Sequence, residues 1–106
     1  MELQAHLSLT AARERLADVP EDWIELFRRD GVWVEFYVPA GVDAQTPHDR
    51  DEFYFVASGS GSFVCNGKRT SFGPSDFLFV AARAEHRFED FSDDFAAWVV
   101  FFGPPR

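Results

Sequence analysis

Three side chains in this 106-residue chain are of types that hold a metal ion together: His48 and Glu52, four apart in "TPHDRDEFYFVASGSG", and His86, in "AEHRFEDF". On a strand, alternate residues share a face, so His48, Glu52, Tyr54 and Val56 point one way and Phe53, Phe55 and Ala57 the other. His86 and Phe88 share a face of a later strand. If both faces turn into one barrel interior, two imidazoles and a carboxylate converge. That set suits a divalent transition metal, Zn, Mn, Fe or Ni, with positions left for water or substrate. It needs neutral imidazoles and an ionised carboxylate, so binding weakens as the pH falls toward ~6. The competing arrangement is a metal-free buried network in which Glu52 accepts a hydrogen bond from an imidazole.

Other side chains near this set could meet a ligand. Arg50 lies between His48 and Glu52 on the same alternation, where it reaches either a substrate carboxylate or phosphate at the barrel mouth or the adjacent acids Asp49 and Asp51. Tyr54, Phe79, Phe88 and Trp98 are candidates for a pocket lining, since small β-barrels hold ligands at their mouths. Tyr54 alone of these has a hydroxyl to offer as donor or acid. Cys65, the single cysteine, has no histidine near it in sequence to activate it and reads as a strand filler. His6 has no motif around it.

These residues need short strands to position them. "WIELFRR" and "VWVEFYV" are rich in β-branched and aromatic residues and flank Asp30-Gly31, a two-residue hairpin signal, which predicts strands over 23–29 and 32–38. Six further runs follow, "EFYFVAS", "GSFVCN", "KRTSF", "DFLFVA", "HRFEDF" and "AAWVVFF", each bounded by turn residues, with Asn66-Gly67 as a second hairpin turn. Eight short strands spaced this closely are the pattern of an antiparallel sandwich or barrel. Ahead of them, "LTAARERLADVP" predicts one short helix with Thr10 as N-cap and Pro20 as stop. The expected organisation is a single domain over 1–106, with a helical segment over 1–21 and a β-barrel over 22–103.

Composition restricts the function classes. Thirteen Phe and three Trp can supply the apolar burial that so short a chain needs. A formal net charge of −8 argues against nucleic acid or an anionic membrane as partner, because both require a cationic footprint. No apolar run approaches the ~20 residues of a membrane span. One cysteine and no leader pattern make a cytoplasmic location the expectation.

From about Gly41 to Asp90 the residues resemble the two motifs of the cupin superfamily, and the surrounding strands resemble its small single-domain bacterial members. The first motif is G-x5-H-x-H-x3-4-E-x6-G. His48 and Glu52 fit its second histidine and its glutamate, and Gly59 fits its final glycine, while Thr46 stands where the first histidine belongs and Gly41 lies one residue too close. The second motif is G-x5-P-x-G-x2-H-x3-N. His86 keeps its histidine, while Ser75, Ala81, Arg83 and Asp90 replace the other signature residues.

The resemblance implies a double-stranded β-helix, or jelly-roll, barrel. It also implies a metal held by His48, Glu52 and His86, three ligands rather than four, and a small-molecule partner met by Arg50, Tyr54, Phe88 or Trp98. Isomerase, dioxygenase and lyase activities all occur among cupins, so it leaves open whether the chain is an enzyme. A homodimer is expected from the resemblance and from the need to cover edge strands. The alternative function is a metal-free cupin that binds or senses a small ligand.

Overall fold

The computed structural model describes residues 5–43 and 45–106. Helix α1, Leu9–Ala17, precedes eight strands: β1 Trp23–Arg29, β2 Val32–Tyr37, β3 Asp51–Ser58, β4 Gly61–Cys65, β5 Lys68–Phe72, β6 Phe77–Val80, β7 His86–Glu89 and β8 Ala96–Phe102. Every strand expected from sequence forms. The N-cap stands two residues earlier than expected: Ser8, not Thr10, fills it, its hydroxyl accepting from the Ala11 N–H at 3.0 Å, and the helix ends at Ala17 with Asp18 as C-cap, before Pro20. Either residue has a hydroxyl that can accept this bond, and the chain direction at Ser8, extended at φ −81° and ψ 158°, decides it.

The strands form two antiparallel sheets, one ordered β1-β2-β8-β3-β6 and one ordered β5-β4-β7. Packed face to face they make a jelly-roll barrel. Asn66 at φ 50° and Gly67 at φ 80° turn β4 into β5, the left-handed pair that a two-residue hairpin requires. Gly59, between β3 and β4, is fixed by contact: at φ +83°, a Cβ there would stand 2.5 Å from the Phe95 Cα.

The core fills the space between the sheets. Tyr54 and Val56 from β3, Phe63 from β4, Phe88 from β7 and Val99 and Phe101 from β8 are all buried. Phe88 sits at the centre, its ring 5.1 Å from Phe63, 5.4 Å from Phe72 and 4.7 Å from Phe95. Burying each such ring contributes about 1.5–3 kcal/mol. A second cluster lies outside the large sheet, where α1 packs Ala12, Leu9 and Leu16 against Phe36, Ala96 and Trp98. The functional consequence is an aromatic barrel wall rigid enough to hold polar groups at fixed positions inside it. No helix among the described residues is long and apolar enough to cross a membrane.

Candidate metal centre

Among the described residues two polar ones, Glu52 and His86, are buried in the barrel. Glu52 is the second residue of β3, on the face it shares with Tyr54 and Val56, and His86 opens β7 in the opposite sheet. Their side chains meet across the interior: His86 Nε2 lies 2.7 Å from Glu52 Oε1. His48 comes from the coil three residues before β3, not from the strand itself, yet its Nε2 reaches to 3.9 Å from Glu52 Oε2. One ligand atom from each of the three lies within 4.8 Å of the other two.

The hydrogen bonds around His86 decide what its ring can offer. Its Nδ1 is 3.0 Å from the Ala84 carbonyl, an acceptor only, so Nδ1 carries a proton. In the neutral ring, Nε2 then presents a lone pair toward Glu52 Oε1, itself an acceptor. Two acceptors at 2.7 Å require a cation or a proton between or beside them. Burial opposes a charged His86, but the hydrogen bonds to Glu52 and to the Ala84 carbonyl outweigh it and raise the ring above its ordinary pKa.

The other carboxylate oxygen, Glu52 Oε2, is buried without any hydrogen-bond partner among the described residues. An orphaned buried carboxylate oxygen is costly, and it faces His48. Two imidazole nitrogens and this oxygen are the donor set that a divalent transition metal takes, so the residues fit the ion. Thr46, where the sequence pattern has another histidine, is exposed at the cavity rim.

Tyr54 supports the ligands. Its hydroxyl is 3.0 Å from Gln45 Oε1, 3.3 Å from Glu52 Oε1 and 3.1 Å from His86 Nε2. Burial, and then the Glu52 charge, raise its pKa well above normal, so it stays a neutral donor. Gln45 is in turn held by Asp43, whose Oδ1 and Oδ2 accept from the Gln45 backbone and side-chain N–H groups at 3.1 and 2.9 Å. Asp43 also accepts from the Tyr37 hydroxyl at 2.5 Å and from the Phe88 N–H at 2.8 Å, which ties this loop to β2 and β7.

A cavity of about 620 Å³ opens beside His48, walled by Trp33, Glu35, Tyr37, Arg50 and Phe101. Burial, with Glu25 and Glu52 adding repulsion against a hydrogen bond from Trp33, pushes Glu35 up to about 7. Arg50 lines this cavity but does not pair with Asp49 or Asp51. It donates to the Gly103 carbonyl at 2.6 Å and stacks 4.9 Å from the Trp33 ring centre. Asp51 instead accepts from the Ala82 N–H at 2.9 Å.

Three of the aromatic residues considered from sequence stand elsewhere. Trp98 is on the outer face of β8, edge-on to Phe36 under α1 at 5.2 Å, because residues 97, 99 and 101 take the inward positions. Phe88 is sealed in the core and Phe79 is on the outer face, half exposed. Sequence reasoning missed Trp33, Glu35 and Tyr37, which share the inward face of β2. Its available signal was a glutamate alternating with two aromatics in "VWVEFYV". Cys65 is half-buried beside His86 across β4 and β7, and burial followed by the Glu52 charge raises its thiol pKa.

A family profile described as a cupin domain matches residues 33–102. An uncharacterized protein of Streptomyces coelicolor is 32% identical over 84 residues, covering 77% of this chain and 80% of its own. Among solved structures, a Ralstonia eutropha protein assigned provisionally as a mannose-6-phosphate isomerase is 26% identical with a TM-score of 0.59, over 81% of this chain and 88% of that one. KdgF from Halomonas sp. gives a TM-score of 0.66 at 16% identity, over 79% and 77%. The DMSP lyase DddQ of Ruegeria pomeroyi gives 0.65 at 24%, over 95% of this chain and 56% of that one. The last two likenesses speak to the fold.

Proposed function

The chain belongs to the cupin family, and we propose that it binds a divalent transition metal through His48, Glu52 and His86 and takes a small organic ligand into the adjoining cavity. The observation that carries this reading is Glu52 Oε2, a buried carboxylate oxygen with no partner, aimed at His48. When bound, the metal supplies Lewis-acid polarisation of a ligand oxygen.

The chain's own residues do the rest. The Ala84 carbonyl fixes the His86 tautomer with Nε2 free to donate its lone pair, and the Tyr54 hydroxyl steadies Glu52 and His86 in their rotamers. Arg50 uses one N–H group on Gly103 and keeps others for an anionic group of the ligand, while Trp33 and Phe101 offer flat apolar walls. Glu35, with its pKa about 7, can hold or accept a proton at the cavity wall.

A metal-free binding module is the second reading, favoured by the His86–Glu52–Tyr54 hydrogen bonds, which are short enough to stand alone. Elemental analysis of protein purified without a metal-affinity tag separates the two. Near-stoichiometric transition metal that is lost in His86→Ala supports the metal site. No metal, with no thermal shift on adding Mn, Fe, Ni, Zn or Co salts, leaves the metal-free module.

A further inference from the structure

His48 is the least supported of the three residues at the metal centre. Glu52 and His86 stand on strands with side chains only 1% exposed, whereas His48 comes from coil and its side chain is 36% exposed. Its direction therefore depends on what holds that coil. Two other segments do so. The Arg83 N–H donates to the His48 carbonyl at 2.6 Å, and the Arg106 N–H donates to the Asp49 carbonyl at 2.7 Å. The Asp51 carboxylate accepts from the Ala82 N–H at 2.9 Å and pairs with the Arg106 guanidinium at 3.6 Å.

The two segments are also tied to each other. Arg83 Nε donates to the Arg106 main-chain oxygen at 2.5 Å, which closes a ring of contacts through residues 48–51, 82–83 and 106. Residues 103–106 enter that ring as a strap. Gly103 donates to the Gly31 carbonyl at 3.0 Å and accepts from Arg50 at 2.6 Å, and Pro104 and Pro105 make a stiff spacer from there to Arg106. The turn over residues 81–84 serves the other imidazole as well, since the Ala84 carbonyl accepts from His86 Nδ1. One turn thus aims both rings.

Arg83 is an unexpected residue at this place. Its φ is +71°, in the left-handed region where glycine is at ease and a long side chain is strained, and the sequence pattern has a glycine at this position. Asn66 and Asp90, both at φ 50°, are of the types that visit this region; arginine is not. Arginine keeps the strain and adds one contact that glycine lacks, the hold on residue 106. A ligand in the cavity does not account for it, because Arg83 is exposed and does not line that cavity.

We propose that Arg83 and Arg106 are positioning residues for the metal centre, clasping the coil over residues 48–51 to the barrel so that His48 is presented to the ion as its third ligand. The proposal rests on the metal reading of the site. Losing a group that orients a ligand ordinarily lowers metal affinity by ~10–100-fold. Here the loss falls on His48, because the core already fixes Glu52 and His86.

Zinc affinity of the full chain, measured by competition with a chromophoric chelator, and the X-ray absorption spectrum of the zinc-loaded protein test this in Arg83→Gly and Arg106→Ala beside the wild type. Arg83→Gly keeps the N–H bond to His48 and removes only the clasp. Its affinity should fall ~10–100-fold and its spectrum should show one imidazole in place of two. Its urea midpoint in chelator should hold, as relief of the left-handed strain offsets the freedom that glycine gives the unfolded chain. Arg106→Ala should lower the affinity in the same direction. An Arg83→Gly protein that binds zinc as tightly as the wild type, through two imidazoles, overturns the clasp alone. So does a lower affinity that comes with a lower midpoint in chelator and two imidazoles, since Arg83 then holds the fold and not His48. A wild type that takes up no zinc overturns the metal reading together with the clasp.

Discussion

Glu52→Gln should stabilise the metal-free protein while removing its response to metal. Glu52 is fully buried, Oε1 is shared by His86 and Tyr54, and Oε2 has no partner. A buried acceptor left unsatisfied costs about 1–3 kcal/mol, more when it carries charge. The glutamine amide keeps the shape, sets an N–H donor opposite the His86 Nε2 lone pair, and leaves a neutral oxygen in place of the buried charge at the Oε2 position. The metal-free variant should therefore gain about 1–3 kcal/mol, which for a domain of this size is a rise of roughly 5–15 °C in Tm.

Metal then separates the two proteins in the other direction. At a concentration 100 times its Kd, metal stabilises the wild type by about 2.7 kcal/mol. A variant binding 100-fold more weakly gains only ~0.4 kcal/mol at the same concentration. The assay is urea denaturation at one protein concentration, in chelator and in excess Zn or Ni. A Glu52→Gln protein less stable than the wild type in chelator would refute the reasoning, because Glu52 would then be a satisfied member of a metal-free network whose loss is felt.

Two other perturbations follow from the same geometry. Glu35, with a pKa of about 7 against an ordinary 4.5, retains its proton in the folded state where the unfolded chain has released it. Its contribution to stability is thus full below the unfolded value and is lost as the pH rises from 4.5 to 7. His86, also raised, adds a loss in the same direction above 6.5. In denaturation series run in chelator, Glu35→Gln should flatten the fall between pH 4.5 and 7 and leave the one above 6.5. Tyr54→Phe removes the hydroxyl that contacts Gln45, Glu52 and His86. Calorimetric titration should show metal affinity reduced ~10–100-fold, the usual effect of losing a group that orients a ligand.

Much of the fold was legible in the sequence because its signals are local. Asn66-Gly67 and Asp30-Gly31 mark hairpins through residues that tolerate left-handed backbone, and the alternation of Glu52, Tyr54 and Val56 against Phe53 and Phe55 states which side of β3 is buried. The meeting of Glu52 and His86 was legible as well, since two strands on opposite walls of one barrel leave little choice of direction, whereas His48 joins them from the coil before β3 and not from the strand alternation expected of it.

What sequence could not place was register. Trp98 and Val99 both look like core residues in "AAWVVFF". Only pairing with β2 and β3 settles that Val99 faces inward and Trp98 faces the helix. The cavity wall is hidden for the same reason: Trp33 and Phe101 stack at 5.1 Å although 68 positions separate them in sequence, so no window contains both. Arg50 differs from expectation because the neighbouring acids are drawn off, Asp51 to the Ala82 N–H, leaving the guanidinium to Gly103 and Trp33.

The most direct test of the metal-site proposal is the X-ray absorption spectrum of zinc-loaded protein. The site predicts nitrogen and oxygen neighbours at ~2.0–2.2 Å with outer-shell scattering from two imidazole rings and no sulfur. Scattering from a single imidazole, or a sulfur at ~2.3 Å implicating Cys65, would contradict a centre built from His48, Glu52 and His86.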